Sequence, residues 1–315
     1  MRTNGLLMML VANDRSQIGQ RMTYAAELNV IECMTNVEYD IPRSGDILII
    51  EAIRIPVEHH MNIFDSFELN IGGNKFEIDF KLLLDLSEIR KTNMYYIIDI
   101  PWTIFTHDKK FSEILLISLP YNRVYFRLNG RDDLNYNIIT KNKYYQSKER
   151  KIIATGMFNI FMNSFIKVPL ECIKIDFDNY DIECYGIFIR TDKIDNIKIS
   201  IYGYELFNYD NEMLKYMGSK IKKCGWSSGH SRALYDSLCE YLPNEMIDMI
   251  EQYARYKETL YWIPFNPRVR WDSDNNSAIK LENIEVSFSR KQLGTIYFAV
   301  VDEFMTANGM MGRKY

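Results

Sequence analysis

Imidazole is the usual neutral-pH base and metal ligand of proteins, so the positions of the histidines bound the catalysis a chain can perform. There are four: His59, His60, His107 and His230. His59 and His60 are adjacent, and on a strand they point to opposite faces and do not share a metal. His107 stands beside Asp108 and two lysines in an expected turn, and His230 sits in the small-residue loop "SSGHS". None has a second histidine two to four residues away, so the H-x-H clusters of metal-binding β-barrel enzymes are absent. The five cysteines, Cys33, Cys172, Cys184, Cys224 and Cys239, are scattered, odd in number and without a C-x-x-C pair. They suggest neither a disulfide framework nor a zinc site, and a reducing compartment suits them best. No G-x-S-x-G elbow, Walker loop or H-E-x-x-H occurs. Any two of the many carboxylates would have to stand roughly 5 to 10 Å apart for glycoside hydrolysis, which a sequence does not place, and they read as solvated strand faces. Trp226, Trp262, Trp271 and exposed tyrosines remain as surfaces on which a sugar would stack. The expectation is a chain with no catalytic residue, no metal site and no cofactor site.

The glycine pair in "FELNIGGNKFEID" (67–79) looks at first like a phosphate cradle. Such a cradle opens a helix, whose free N–H groups hold the anion. Here Phe67, Leu69 and Ile71 alternate with Glu68 and Asn70, and Phe76, Ile78 and Phe80 alternate with Lys75, Glu77 and Asp79. That period of two is a strand signature on both sides. With Gly72 and Gly73 as the two central residues of a type I′ turn, Ile71 faces Asn74, Leu69 faces Phe76 and Phe67 faces Ile78. Both turn positions need positive φ, which glycine adopts without a Cβ clash. The glycines turn the chain.

The 315 residues carry 38 basic and 42 acidic side chains, net −4, with no basic block of the kind that neutralises phosphates, so nucleic acid is not an expected partner. Apolar residues make up 47% and aromatics 14%, with 22 Tyr and 17 Phe, an enrichment that suits pleated, half-buried surfaces. The N-terminal "GLLMMLVA" (5–12) is too short and too poorly flanked for a signal peptide. No stretch approaches the ~20 apolar residues of a membrane-spanning helix. This segment is expected to lie on a neighbouring subunit or a membrane surface.

Along the chain, "NVEYDIPRSGDILIIEAIRIPVE" (36–58) reads as strand, turn and long strand. "MYYIIDIPWTIF" (94–105), "FSEILLISLP" (111–120) and "NRVYFRLNG" (122–130) read as further strands bounded by Pro, Gly, Asn or charge. The polar stretch 129–151 reads as a connector between two halves. The second half opens with "IIATGMFNIFMNSFIKVPLECIKIDF" (152–177), "ECYGIFIRT" (183–191) and "NIKISIYGYELF" (196–207). A helix is expected in "PNEMIDMIEQYARY" (243–256), where Met246, Met249, Ile250 and Tyr253 recur at helical spacing behind Asn244 as N-cap. Strands return in "ETLYWIPF" (258–265), "AIKLENIEVSFS" (278–289) and "TIYFAVVDEF" (295–304). Two strand-rich halves of similar size point to two β-sandwiches.

Several of these stretches, in order, resemble the double jelly-roll major capsid protein of nucleocytoplasmic large DNA viruses. "YDIPRSGDILIIEAIRIP" (39–56) looks like that family's first-barrel opening, and "FELNIGGNKFEID" is similar to its Ile-Gly-Gly hairpin. "IDIPWTIF" followed by "LLISLPYNRVYFRLN" resembles its Pro-Phe-Trp-Phe strand and the segment after it. "YWIPFNP" with "SDNNSAIKLENIEVSFS" follows the pattern of a second-barrel strand, Ser/Asn loop and strand, and "FMTANGMMGRKY" (304–315) looks like its closing Ser-Gly-Met-Gly-Gly-x-x-Tyr. The resemblance implies an all-β chain of two tandem eight-stranded jelly rolls with a few short helices in the second. It divides the chain into an N-terminal arm (1–28), a first jelly roll (29–145) and a second (146–315). It implies a non-enzymatic capsid protein, without cofactor, whose homotrimers of nearly hexagonal outline tile an icosahedral shell. Its partners would be other copies of itself, minor capsid and penton proteins, and an internal membrane against the arm. Its places would be the virion and, during assembly, the host cytoplasm. The alternatives are a minor capsid or membrane-shaping scaffold protein of the same fold, and a carbohydrate-binding β-sandwich. Asn275 opens the one sequon, Asn275-Asn276-Ser277.

Overall fold

The computed structural model describes residues 23–42, 45–59, 61–100, 104–105, 114, 116–145, 158–171, 174–177, 183–192, 194–214, 259–265, 279–280, 283–307 and 309–313. The segment 1–22, the expected helix at 243–256 and the sequon at Asn275 lie outside them. The chain divides into two compact units, Met1–Met162 with Glu303–Tyr315, and Asn163–Asp302.

The first unit contains β1 (Thr23–Met34), β2 (Tyr39–Asp40), β3 (Ile47–Pro56), β4 (Phe64–Ile71), β5 (Asn74–Asp79), helix α1 (Phe80–Leu86), β6 (Glu88–Lys91), β7 (Tyr95–Asp99), β8 (Val124–Gly130) and β9 (Asn135–Tyr145). One antiparallel sheet runs β1-β9-β3-β7-β6 and the other β2-β8-β4-β5. With β6 set aside as an addition to one edge, eight strands remain. Counted in chain order they lie first-eighth-third-sixth in one sheet and second-seventh-fourth-fifth in the other, the winding of a jelly roll.

The rest of the chain holds β10 (Phe158–Leu170), β11 (Lys174–Phe177), β12 (Glu183–Thr191), β13 (Asn196–Ile201), β14 (Tyr204–Asp210), β15 (Thr259–Pro264), β16 (Ile279–Lys280), β17 (Ile284–Phe288), β18 (Gly294–Ala307) and β19 (Met310–Arg313). Its sheets run β10-β18-β12-β15, with β16 beside β12 and β19 beside β18, and β11-β17-β13-β14. With β16 and β19 set aside, the order is again first-eighth-third-sixth and second-seventh-fourth-fifth. The same winding occurs twice in one chain.

The glycine-pair hairpin has the expected register, with Ile71 opposite Asn74, Leu69 opposite Phe76 and Phe67 opposite Ile78. Gly72 (φ 58°) and Gly73 (φ 91°) are both in the positive region, and the Asn70 side chain accepts a bond from the Gly73 N–H at 2.9 Å. Phe67, Leu69, Phe76 and Ile78 are fully buried, each contributing about 1.5–3 kcal/mol relative to exposure. The alternation stops sooner than expected. Phe80 opens α1 because the Asp79 carboxylate accepts from the Lys81 and Leu82 N–H groups as an N-cap. This helix lies in the first half; in the second, where short helices were expected, residues 211–214 are helical.

Three other expectations are corrected. Residues 135–145, read as part of a polar connector, form β9, which pairs with both β1 and β3. Its inward face is Tyr136, Ile138, Thr140 and Asn142, all buried. Two of the four are polar, so the apolar alternation that marks a strand was missing. "FSEILLISLP", read as a strand, makes a single bridge from Ile114 to Leu48 and then a 3-10 turn at Leu116–Ser118. Its unbroken apolar run has no second, polar face to present. "NIKISIYGYELF" is not one strand but the hairpin β13–β14, turning at Tyr202 (φ 49°) and Gly203 (φ 78°).

The core of the second unit is continuous. Ile187 and Ile189 of β12, Ile197 and Ile199 of β13, Tyr261 and Ile263 of β15, Val286 of β17 and Ile296 and Phe298 of β18 form one buried cluster. The opposite face of the first of these sheets is aromatic as well, with Phe188 and Trp262 at 4.2 Å between centroids and Tyr185 and Trp262 at 6.0 Å.

Candidate functional site

Among the described residues, those with catalytic potential are not brought together. His59 lies in a turn rather than on a strand, its N–H bonded to the Pro56 carbonyl at 3.1 Å, with only Glu58 near its imidazole at 4.0 Å. His60, His107 and His230 fall outside the described residues, as do Cys172, Cys224, Cys239, Trp226 and Trp271. Cys33 and Cys184 are free thiols in the interior. Burial pushes the Cys33 thiol up to about 12 and Cys184 higher still. Trp262 is buried at 6% exposure against Phe188, so it is withdrawn from any sugar-stacking surface. Among the described residues no group of three or more His, Cys, Asp or Glu is placed to hold a metal, and no helix is long and apolar enough to cross a membrane.

What the sheets do position is a set of outward faces. On β4 the inward side chains are apolar, yet the outward Ser66, Glu68 and Asn70 are buried too. Glu68 lies opposite Arg127 of β8 and opposite Glu77 of β5. Two carboxylates directly across a strand pair repel. Lys75, one register step away, resolves the conflict by reaching Glu77 at 2.8 Å and Glu68 at 3.3 Å. Arg127 Nη2 meets Glu68 Oε2 at 2.9 Å. Ser66 Oγ donates to Glu77 and receives a bond from Asn129 Nδ2 at 2.9 Å. Just before β8, Arg123 spans Asp40 at 2.6 Å and Glu38 at 2.8 Å, with its guanidinium 4.6 Å from the centroid of the Tyr125 ring. An ionic mesh in two groups therefore lies on this sheet.

The mesh has a titration signature. Burial pushes the Glu77 carboxyl up, but the hydrogen bonds from Lys75 and Ser66 and the charges of Lys75 and Arg127 outweigh it and hold the group below its ordinary 4.5. A carboxyl lowered on folding contributes stability above its unfolded value and loses it as pH falls through the folded one. In Lys75→Met the Glu77 midpoint is expected to rise above 4.5, because burial and the facing Glu68 remain. Side-chain carboxyl NMR titration measures this directly, and an unmoved midpoint would refute the role given to Lys75.

Two strips are apolar instead. Leu28, Val30 and Met34 point outward from β1, the edge strand of its sheet, and are 45%, 53% and 37% exposed. In the second unit Tyr202, Tyr204 and Leu206 are exposed at the β13–β14 turn and along β14, also an edge strand. Edges of this kind invite pairing with another chain unless they are covered. Neither strip is marked in the sequence, because an alternating strand gives no sign of whether it is the edge.

Fold and faces together define the class: this is an all-β chain with the double jelly-roll fold. No protein-family model and no curated protein matches the sequence. Among solved structures it is similar to the quasi-atomic model of the PBCV-1 virus capsid, with a TM-score of 0.63 at 11% identity over 96% of this chain and 99% of the other. It is likewise similar to PBCV-1 VP54, in the crystal structure fitted into a cryo-EM reconstruction of the virophage Sputnik, with a TM-score of 0.62 at 10% identity over 96% and 99%. Both likenesses extend across both jelly rolls.

Proposed function

We propose that this chain is a structural capsid protein, the major shell protein of an icosahedral large DNA virus, and not an enzyme. The observation that carries the reading is the same eight-stranded winding made twice, matched nearly end to end by a capsid structure. The first jelly roll is taken as residues 23–145, six residues longer than expected because β1 begins at Thr23, and the second as 146–315, with 1–22 as an arm. The working unit is a homotrimer. Two similar barrels per copy give six similar corners around a threefold axis, which is what a near-hexagonal tile needs, and closed symmetry keeps the tile finite. A threefold contact joins two different patches of neighbouring copies, and the exposed strips on β1 and on β13–β14 are two such patches. Partners are then other copies of the chain, minor capsid and penton proteins, and a membrane or minor capsid protein against the arm. The virion is the final location, and the host cytoplasm the site of assembly.

Light scattering on the purified chain at micromolar concentration is expected to give three times the 37.3 kDa chain mass, with threefold particles in electron micrographs. A stable monomer or dimer would overturn the trimer. Abundant copies in mature particles by quantitative mass spectrometry separate a shell protein from a scaffold that is shed.

A further inference from the structure

The end of β18 and the short β19 after it are built into a corner of the first unit. Phe304, 4% exposed, sets its ring edge-on to Phe76 of β5, with centroids 5.3 Å apart at 76°. Thr306 and Met311 are buried as well. The Gly309 carbonyl accepts from the Tyr121 N–H at 3.1 Å. At φ +81° Gly309 leaves no space for a side chain, since a Cβ there would stand 2.6 Å from the Tyr121 ring and 2.8 Å from Pro120 Cγ. The Met311 N–H donates to Asn122 Oδ1 at 2.7 Å. The other end of the same amide, Asn122 Nδ2, fills the space over Gly72 where a side chain would begin. Gly72 thus does more than turn the hairpin. It makes room for the asparagine that holds a strand 189 residues further on.

We propose that residues 303–313 are a closing latch for the first unit. The corner made by the β4–β5 hairpin and the turn at 119–123 stays open until residues 303–313 arrive and seal it. Residues 163–302, which belong to the second unit, are made in between. At about 5–20 residues per second this leaves roughly 7–28 s during which Phe76 lacks its Phe304 cover. The latch closes only once residues 303–313 have been made.

Hydrogen exchange on the full-length protein, followed by mass spectrometry, tests this with Asn122→Ala, which removes the acceptor and leaves the glycine turn intact. Loss of one buried hydrogen bond should speed exchange about tenfold in peptides covering 64–79 and 303–313 together, while β13, β14 and β17 keep wild-type rates. Asn122→Asp, which retains the acceptor, should restore most of the protection of 303–313. Phe304→Leu should give the same paired pattern at smaller amplitude, and it serves if Asn122→Ala does not fold. Faster exchange confined to 303–313 would make the segment a passive tail and overturn the latch. So would unchanged rates in both peptides, or a rise that spreads equally to the second unit.

Discussion

Replacing Gly72 by valine is expected to prevent the first unit from folding. A Cβ at this position would lie 1.6 Å from Asn122 Nδ2 and 2.7 Å from its Cγ, so the asparagine must leave. Its departure strands the buried Met311 N–H. The backbone is at φ +58°, which a branched residue resists. Strain, overpacking and the lost hydrogen bond together come to roughly 3–8 kcal/mol, comparable with the whole stability of an ordinary domain. Gly73 differs in kind. Nothing lies within 4 Å of its would-be Cβ, so Gly73→Ala carries only the backbone cost, about 1–2 kcal/mol. Urea denaturation followed by circular dichroism should show Gly73→Ala as a modestly destabilised protein and Gly72→Val as insoluble or unfolded. Equal losses at the two positions would refute the division of labour within the pair. Turn geometry alone ranks the two positions alike, because it is local and the Asn122 contact is not.

The second large effect is expected at Arg127. Glu68 is only 2% exposed, and Arg127 is its nearer cationic partner. Removing one partner of a buried pair strands the other charge and typically costs 3–5 kcal/mol. Lys75 still stands 3.3 Å away but is 46% exposed and screened by solvent, so Arg127→Met is expected to destabilise by about 2–3 kcal/mol. Adding Glu68→Met should recover most of that loss, since an apolar pair of similar volume no longer carries an unpaired charge. Thermal or urea unfolding of the two single variants and the double variant gives the coupling directly. If Arg127→Met stays within about 0.5 kcal/mol of the parent, the Glu68 carboxylate is solvated in solution and the mesh is ornamental.

How far the sequence could be read depended on whether each signal was local. The β4–β5 hairpin was legible to the register, because two alternating runs and a two-residue glycine turn state the same answer three times. β12 was legible to the residue. β9 was not, since Thr140 and Asn142 take buried positions and the outward face carries Asn135, Asn137, Lys141 and Lys143 beside Ile139; only its neighbours β1 and β3 make it a central strand. The Tyr202-Gly203 turn was missed because tyrosine at positive φ is rare, so the pair did not announce itself as Gly72-Gly73 did. The candidate surfaces were less legible still. Glu68 looked like any outward carboxylate until Arg127 and Lys75, distant in sequence or diagonal in register, closed over it. The apolar strips on β1 and β14 depend on which strands end a sheet, and that follows from topology alone.

Gly186 has a consequence of another sort. It lies on β12, and a Cβ there would come 2.4 Å from the Trp262 ring and 2.8 Å from the Ile263 carbonyl of β15. Trp262 therefore rests on bare backbone of its neighbouring strand. A chain that winds the same eight strands twice runs the risk that a strand pairs with the counterpart of its proper neighbour, a characteristic error of tandem repeats. β3 occupies in the first unit the place that β12 holds in the second, and its sequence "ILIIEAIRIP" contains no glycine. An indole approaching β3 in the same manner would meet a side chain at every position. The approach of Trp262 to Gly186 therefore has no counterpart that β3 could offer, and it marks the pairing of β12 with β15 as particular to the second half.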